Sequence, residues 1–370
     1  MNIKLHKPSI DNEEIKAVTK VLESRILTSS NFDGGERVRE LEDSIKKYVG
    51  IKHAIALNSG TSSLYSALLS LDLKEQDEVL LPSFTFISTW EAVIESGLKP
   101  ILIDINQTDY TIDISDIKNK INSKTKAIIP VHLYGNPVNM DELLEISNKN
   151  NIQIIEDACQ SLGSKYNNKY TGTLGNLGIF SFSATKIITS GEGGMVVTND
   201  NELANKIKLI RNHGFNRENN VVIKGTNYTM PEIEAAIGHI QLKKIEKLIQ
   251  IRKKNADILN KLINNKNIIK PHEGKENRNN WYLYTINVKV KRDYLLEQLK
   301  KSGVEARIYY NPPIHKYSIY KNKSQYNVES KVNLPNTEWA AEHVLTLPIH
   351  PELKYEELKY IADIVNSCDY

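Results

Sequence analysis

The sequence predicts an α/β protein: a mostly parallel central sheet covered by helices, followed by a smaller C-terminal α+β domain. Three observations carry this. From about residue 50 onward, short apolar runs alternate with amphipathic stretches. The runs are apolar on both faces, as strands must be when helices cover both sides of a parallel sheet. After about residue 230 the pattern changes to one long helical stretch and then to period-two alternation. Residues 1–245, with the N-terminal segment 1–35 included, are therefore assigned to a large domain and 246–370 to a small one.

Taken in order, His53–Leu57 (HAIAL) reads as the first buried strand and Ser62–Leu71 as the helix after it. Glu78–Leu81, Ile101–Ile105, Ala127–Val131 and Ile152–Ile155 repeat the strand signal. Helical stretches lie between them near Ile87–Ser96, Ile114–Ile121 and Met140–Asn148. Gly178–Phe182 and Met195–Thr198 add two strands joined by a short polar loop. Pro231, whose fixed φ suits a first helical turn, opens a helix that runs to about Ile263. Trp281–Val290 (WYLYTINVKV) alternates like a half-exposed antiparallel strand. A helix near Arg292–Ser302, a strand near Val304–Tyr309 and a final helix near Tyr355–Val365 follow. Residues 322–341 are polar and read as a surface loop entering a helix.

Bulk composition narrows the function classes. The 370 residues are 40% hydrophobic and 25% charged, ordinary for a globular protein. Net charge is only +3, from 48 basic against 45 acidic side chains, and pairs such as Lys243-Lys244 are scattered along helices. A nucleic-acid binder concentrates its basic charge, so nucleic acid is not an expected partner. Met1–Glu14 has no apolar core, and no run approaches the roughly 18 apolar residues of a membrane span, so neither a secretory signal nor a membrane is expected. The two cysteines, Cys159 and Cys368, are too few and too far apart for a disulfide framework or a metal site. A reducing cytoplasm fits best.

Four clusters at strand ends carry the chemistry, and that edge of a parallel sheet is where ligands bind. In Asn58-Ser59-Gly60-Thr61-Ser62, Gly60 permits close backbone approach and the helix N-terminus offers amides to a phosphate. The same segment taken alone reads equally well as a plain capping loop. In Glu156-Asp157-Ala158-Cys159-Gln160, a carboxylate ends a buried strand and needs a cation, such as a protonated pyridine nitrogen, unless it merely caps a turn. In Ser181-Phe182-Ser183-Ala184-Thr185-Lys186, a lysine just past a buried strand is expected to have a lowered pKa, from desolvation and nearby positive charge, and so to offer a free amine. The alternative is a lysine at an exposed turn, which the following Gly191-Glu192-Gly193-Gly194 makes less apt. In Pro82-Ser83-Phe84-Thr85-Phe86, Phe86 is placed to stack on a flat ring or to serve as core.

The order of these motifs, phosphate loop, aromatic, acid and lysine, and their wording resemble the DegT/DnrJ/StrS family of pyridoxal-phosphate (PLP)-dependent sugar aminotransferases, of fold type I. The resemblance extends from Leu27-Thr28-Ser29 through Pro130-Val131-His132-Leu133-Tyr134-Gly135 to Leu347-Pro348-Ile349-His350-Pro351. It implies that Lys186 binds PLP covalently and later carries the proton, and that Asp157 pairs with the pyridinium nitrogen. It further implies that Gln160 bonds the ring hydroxyl, that Phe86 stacks, and that Gly60, Thr61 and Ser181 hold the phosphate. Asn227, in Thr226-Asn227-Tyr228-Thr229-Met230, matches a family residue that reaches the phosphate of the neighbouring subunit, which implies a homodimer with shared sites. Residues 1–245 would then be the PLP-binding domain.

One departure stands out: many relatives have His where this chain has Ser183. The presence of Lys186 argues against the branch that replaces it with His and catalyses dehydration. Thr189-Ser190-Gly191-Glu192-Gly193-Gly194 looks more like enzymes that aminate C4 of a hexose than C3. Arg307, Tyr309, His315 and Tyr317, in ARIYYNPPIHKY, lie in the region that closes over substrate in the family. The expected activity is amino transfer from L-glutamate to a nucleotide-linked keto-sugar, at C4 of a 4-keto-6-deoxyhexose as in perosamine synthesis. The alternatives are C3 amination, a PLP desulfurase or lyase, and a non-catalytic PLP-binding regulator. No well-placed cysteine supports the desulfurase. The complete Lys, Asp and Gln set disfavours the regulator.

Overall fold

A computed structural model describes residues 1–274, 277–321 and 332–368. Two helices precede the sheet, α1 (Asn12–Ser24) and α2 (Glu36–Val49). The alternating half follows as β1 (His53–Leu57), α3 (Gly60–Ser70), β2 (Glu78–Pro82), α4 (Ile87–Glu95), β3 (Lys99–Ile103), α5 (Ile114–Lys120), β4 (Thr125–Ile128), α6 (Met140–Asn150) and β5 (Gln153–Asp157). A short pair, β6 (Lys165–Tyr166) and β7 (Lys169–Tyr170), leads to β8 (Leu177–Ser181), β9 (Gly194–Thr198) and α7 (Asn201–Arg211). The long helix α8 (Glu232–Leu262) precedes β10 (Ile268–Ile269), β11 (Asn277–Arg278), β12 (Tyr284–Val288), α9 (Arg292–Lys301), α10 (Pro335–His343), β13 (Val344–Leu347) and α11 (Tyr355–Ser367).

The central sheet has seven strands in the order β1-β9-β8-β5-β4-β2-β3. Only β9 runs against its neighbours; the pairs β8/β5, β5/β4, β4/β2 and β2/β3 are parallel. The strands are short and mostly apolar because helices cover both faces. On one side α2 and α8 bury Leu41, Ile45, Leu242, Ile245 and Leu248 against it. On the other, α3, α4 and α7 bury Leu64, Trp90, Val93 and Ile207. The C-terminal ends of β1, β2, β5 and β8 therefore share one edge, where all four expected clusters begin.

The expected division at 245/246 falls inside α8. Its first half packs in the large core and its last turns, with Ala256 and Leu259, pack in the small one beside β12, α9 and α11. The N-terminal segment is shared between the two. Ile3 pairs with Val304 in the small core, while Lys244 of α8 holds Asp11 and Glu14 at 2.7 Å. Among the described residues no helix is long and apolar enough to cross a membrane.

Several expectations need correction. The strand expected at Val304–Tyr309 is an irregular segment with single bridges, Val304 to Ile3 and Arg307 to Thr346. The sheet position beside β12 is taken by β13 instead, which was not foreseen because a run of four residues after a helix carries little periodicity. The strand expected from Trp281 starts only at Tyr284, since Trp281 sits at φ 56°, outside any strand conformation. β3 and β4 begin two residues earlier than their apolar runs suggested. Of the polar stretch 322–341, residues 322–331 lie outside the described residues, and α10 starts on Pro335 at its first turn.

Candidate active site

Four chain segments meet at the shared sheet edge around a cavity of about 380 Å³. The first is the start of α3. Ser59 caps the helix, its hydroxyl accepting from Ser62 N at 3.0 Å. The first amides of a helix have no partner within it, and Gly60 and Thr61, in the first turn of α3, line the cavity. Gly60 is needed for space: a Cβ there would stand 3.0 Å from Ser181 Cβ and 3.2 Å from Cys159 Sγ. Gly194 plays a similar part at the start of β9, where a Cβ would stand 2.1 Å from the Ser59 carbonyl oxygen. Helix dipole, open amides and the Ser181 hydroxyl together suit a phosphate.

The second segment ends β5. The backbone of Asp157 is stitched to the neighbouring loop, its N–H donating to Pro130 O and its carbonyl accepting from His132 N. The buried carboxylate accepts from Thr89 Oγ1 at 3.0 Å and from Cys159 N at 3.2 Å. Beside it, Glu156 faces away from the cavity and takes three backbone amides, those of Gly172, Leu174 and Gly175, together with His132 Nε2. The two adjacent acids thus do different work, one anchoring a loop and one facing the cavity. Gln160 is oriented by Tyr134 N, which donates to its Oε1 at 2.9 Å. That leaves Nε2 as the donor, and it reaches Tyr310 Oη at 3.2 Å.

The third segment follows β8. Lys186 is half-buried, on a turn closed by its own N–H donating to Ser183 O. Its Nζ lies 4.9 Å from the ring centroid of Tyr282. The expected lowering of its pKa is not found. Burial pushes the value down, but Tyr282, Cys159 and Asp157 push it up harder, and it stands above the ordinary lysine value. The groups that act on it most strongly besides burial are a phenol, a thiol and an acid. The Cys159 thiol is itself pushed well up, by burial first and then by Asp157.

The fourth is Phe86, 56% exposed at the N-terminus of α4 with its ring on the cavity. From the small domain, Arg307 and Tyr309 reach the same cavity, Arg307 held by Glu305 at 3.1 Å. Of the residues singled out in the sequence, Gly60, Thr61, Phe86, Asp157, Gln160, Ser181, Lys186, Arg307 and Tyr309 thus line one cavity. His315 and Tyr317 do not; His315 instead links Ser83 Oγ to Glu338 and ties the C-terminal segment to the end of β2. Asn227 is exposed and away from this chain's cavity, its side chain accepting from Thr229 Oγ1.

Sequence reasoning missed Thr89, Tyr282 and Tyr310, which also line the cavity. Thr89 sits one helical turn after Phe86, a spacing that places it on the same helix face. Tyr282 stood in a stretch read only as a strand, and Tyr310 in the ARIYYNPPIHKY segment beside Tyr309, where it was passed over. A larger groove of about 710 Å³ lies between Ser29–Phe32 and Asn212–Asn219, but it has neither lysine nor acid.

A buried acid, a half-buried lysine, an open helix N-terminus and an exposed aromatic fit a flat, phosphorylated heteroaromatic ring. Known proteins agree with that fit. GDP-perosamine synthases of Caulobacter vibrioides and Escherichia coli O157:H7 are 35% and 33% identical, over 84% and 99% of this chain and 85% and 98% of theirs. Helicobacter pylori PseC, an aminotransferase involved in pseudoaminic acid biosynthesis, superposes with a TM-score of 0.92 at 32% identity, covering 99% of this chain and 98% of its own. The E. coli GDP-4-keto-6-deoxy-D-mannose-3-dehydratase, solved with bound hydrated PLP, superposes with a TM-score of 0.91 at 28% identity over 99% of both chains. The family model described as the DegT/DnrJ/EryC1/StrS aminotransferase family matches residues 8–366, and the chain belongs to that family.

Proposed function

We propose that the protein is a PLP-dependent aminotransferase that moves the amino group of L-glutamate to C4 of a nucleotide-linked 4-keto-6-deoxyhexose, working as a homodimer. The observation that carries this is the meeting of Lys186, Asp157 and the open N-terminus of α3 in one cavity. Kinship with perosamine synthases supports the sugar and the C4 position.

Bound in this cavity, PLP supplies an electron sink for the pair left behind when a proton leaves the carbon bearing the nitrogen. The protein supplies position and protons. The amides of Gly60 and Thr61 with the Ser181 hydroxyl hold the phosphate, and Phe86 covers the ring face. Asp157, kept in place by Thr89 and Cys159 N, holds a proton on the pyridine nitrogen. Gln160, with its Oε1 already satisfied by Tyr134, presents its N–H to the ring hydroxyl. Lys186 Nζ takes the Cα proton of the donor and returns a proton to C4 of the acceptor. Arg307 and Tyr309, on the small domain, contact the substrate. Asn227, exposed on this chain, reaches the phosphate of the second subunit.

An absorbance spectrum of the purified protein with PLP, before and after L-glutamate, tests the reading. Wild type shows a visible band that glutamate bleaches, and Lys186→Ala cannot form that band through its own side chain. A panel of nucleotide-linked 4-keto- and 3-keto-sugars then regenerates the band only with the true acceptor. No band with PLP overturns the cofactor assignment, and a band indifferent to glutamate favours the non-catalytic regulator. Regeneration by 3-keto-sugars alone moves the reaction to C3.

A further inference from the structure

Lys186 has a proton to carry but must also stand somewhere while it is not bonded to the cofactor. We propose that Tyr282 is that station, a positioning residue whose ring face holds the released Lys186 amine as an ammonium group within reach of the substrate carbon. This rests on the reading of Lys186 as the cofactor lysine.

The geometry is specific. Nζ lies 4.9 Å from the Tyr282 ring centroid, inside the distance of about 6 Å at which a cation is attracted to an aromatic face. The Tyr282 hydroxyl lies 3.3 Å from Thr185 Oγ1, so the phenol is tied to the residue next to the lysine. The ring cannot drift. Tyr282 N donates to Asn280 Oδ1 at 2.9 Å, and its carbonyl accepts from the buried Arg252 at 3.1 Å. His6 stacks on it with centroids 6.2 Å apart and planes 23° apart. The residue is 6% exposed. Segments distant in sequence, at residues 6 and 252, thus join the neighbouring Asn280 to fix one ring under one amine.

A lysine needs such a station because its stem is flexible and its ammonium strongly hydrated. Freed in a cavity open to water, it would swing away from the reacting carbon. A carboxylate partner would hold it too firmly to leave again, and the nearby acid, Asp157, is already engaged by Thr89 and Cys159 N. A ring face attracts the cation without demanding a directed hydrogen bond. The groups facing Lys186 are Asp157 and Cys159 from the end of β5 and the turn after it, Tyr282 and Tyr309 from the small domain, and His6 from the N-terminal segment. Tyr282 also raises the lysine's pKa through its hydroxyl, by charge and by a hydrogen bond, so the ring-face contact rests on the 4.9 Å geometry.

The test uses full-length protein carrying Tyr282→Phe, which keeps the ring, and Tyr282→Met, which removes it at similar volume. In protein stripped of PLP, labelling of Lys186 by an amine-acylating reagent across pH, followed by peptide mass spectrometry, reports the amine's titration without any catalysis. Tyr282→Met is expected to move the labelling midpoint down by about one pH unit and Tyr282→Phe by less. In the PLP-loaded enzyme, bleaching by L-glutamate is expected to slow about tenfold in Tyr282→Met at unchanged glutamate affinity, with Tyr282→Phe restoring most of the rate. An unmoved midpoint in both variants overturns the proposal, as does a Phe variant as slow as the Met one. If Tyr282→Met does not fold, Tyr282→Leu takes its place: a midpoint lowered in Leu and held near wild type in Phe supports the station, and a midpoint lowered equally in both overturns it. A wild-type protein that forms no band with PLP defeats the reading of Lys186, while the labelling still decides on Tyr282.

Discussion

Thr89 Oγ1 donates to Asp157 Oδ2 across 3.0 Å, joining the first turn of α4 to the last residue of β5. The same turn begins at Phe86, so one short helix start carries both the ring's cover and the acid's support. Thr89→Val is nearly isosteric and removes the hydroxyl donor, leaving the buried carboxylate to the Cys159 backbone N–H and thiol. Loss of a hydrogen bond to a charged group costs about 1.5 kcal/mol, or roughly tenfold in an equilibrium constant. The PLP dissociation constant, followed by absorbance titration, is expected to rise by about that factor, while the melting temperature of the cofactor-free protein stays near wild type. An unchanged dissociation constant would show that Asp157 does not depend on Thr89.

Gly60 gives a prediction of opposite character, in which adding atoms removes function. A methyl at this position points at Ser181 Cβ, 3.0 Å away, and at Cys159 Sγ, 3.2 Å away. Ser181 is fixed at the end of β8 by its pairing with Gly194, so the crowding cannot be relieved from that side. Gly60→Ala also favours the helix by about 1 kcal/mol in backbone terms. Fold stability is therefore expected to change little, whereas affinity for PLP falls more than about tenfold as the phosphate loses its approach to the amides. Thermal unfolding without cofactor and PLP titration separate the two effects, and undiminished affinity would place the phosphate elsewhere.

How legible the site was in the sequence follows from what each residue needs. Residues whose role is written in local backbone chemistry could be read directly: Gly60 before a helix, Asp157 and Lys186 directly after buried strands. Tyr282 could not, because the partners that fix its ring include His6 and Arg252, and no local pattern announces a contact across such separations. The charge state of Lys186 was misjudged for a related reason. Burial alone lowers a lysine, but the answer depended on the phenol, thiol and carboxylate that the fold gathers around it. At the level of fold, strands buried on both faces were plain as apolar runs. The segment after Val304 was not, since its alternation resembles a strand while its backbone pairs only at single residues. Helices α1, α2 and α7 lay outside the apolar alternation from which the sheet was inferred.

His350 sets an expectation for pH. It is buried with Nδ1 unpartnered, and burial first, then Arg252 and Lys7, lowers its pKa to about 4; Glu357 opposes this. The folded chain thus keeps the imidazole neutral down to about pH 4, whereas the unfolded chain takes up a proton near pH 6.5. The resulting stability is fully present above pH 6.5 and is lost as pH falls from 6.5 towards 4, by on the order of 2 kcal/mol. His6 is lowered in the same direction, also to about 4, and adds to the slope. Urea unfolding at pH 7.5 and pH 5 is expected to show this loss in wild type and a smaller one in His350→Gln, whose amide does not titrate. Parallel losses in the two proteins would remove His350 from the account.

Asn227 distinguishes a site completed by a second subunit from one completed within the chain. On its own chain it is exposed and away from the cavity, its side chain accepting from Thr229 and its backbone bridged to Asn212. If it serves the phosphate of the second subunit, Asn227→Asp places a carboxylate against that phosphate and silences the site of its partner, while Lys186→Ala silences the site of its own chain. Each homodimer is then inactive. In a mixed dimer one site carries both lesions and the other carries neither, because a two-fold dimer exchanges the residue between sites. Random mixing after reversible dissociation is expected to restore about a quarter of the wild-type sites, read as PLP absorbance bleached by L-glutamate. If Asn227 acted within its own chain, each mixed dimer would keep one lesion at each site and no activity would return.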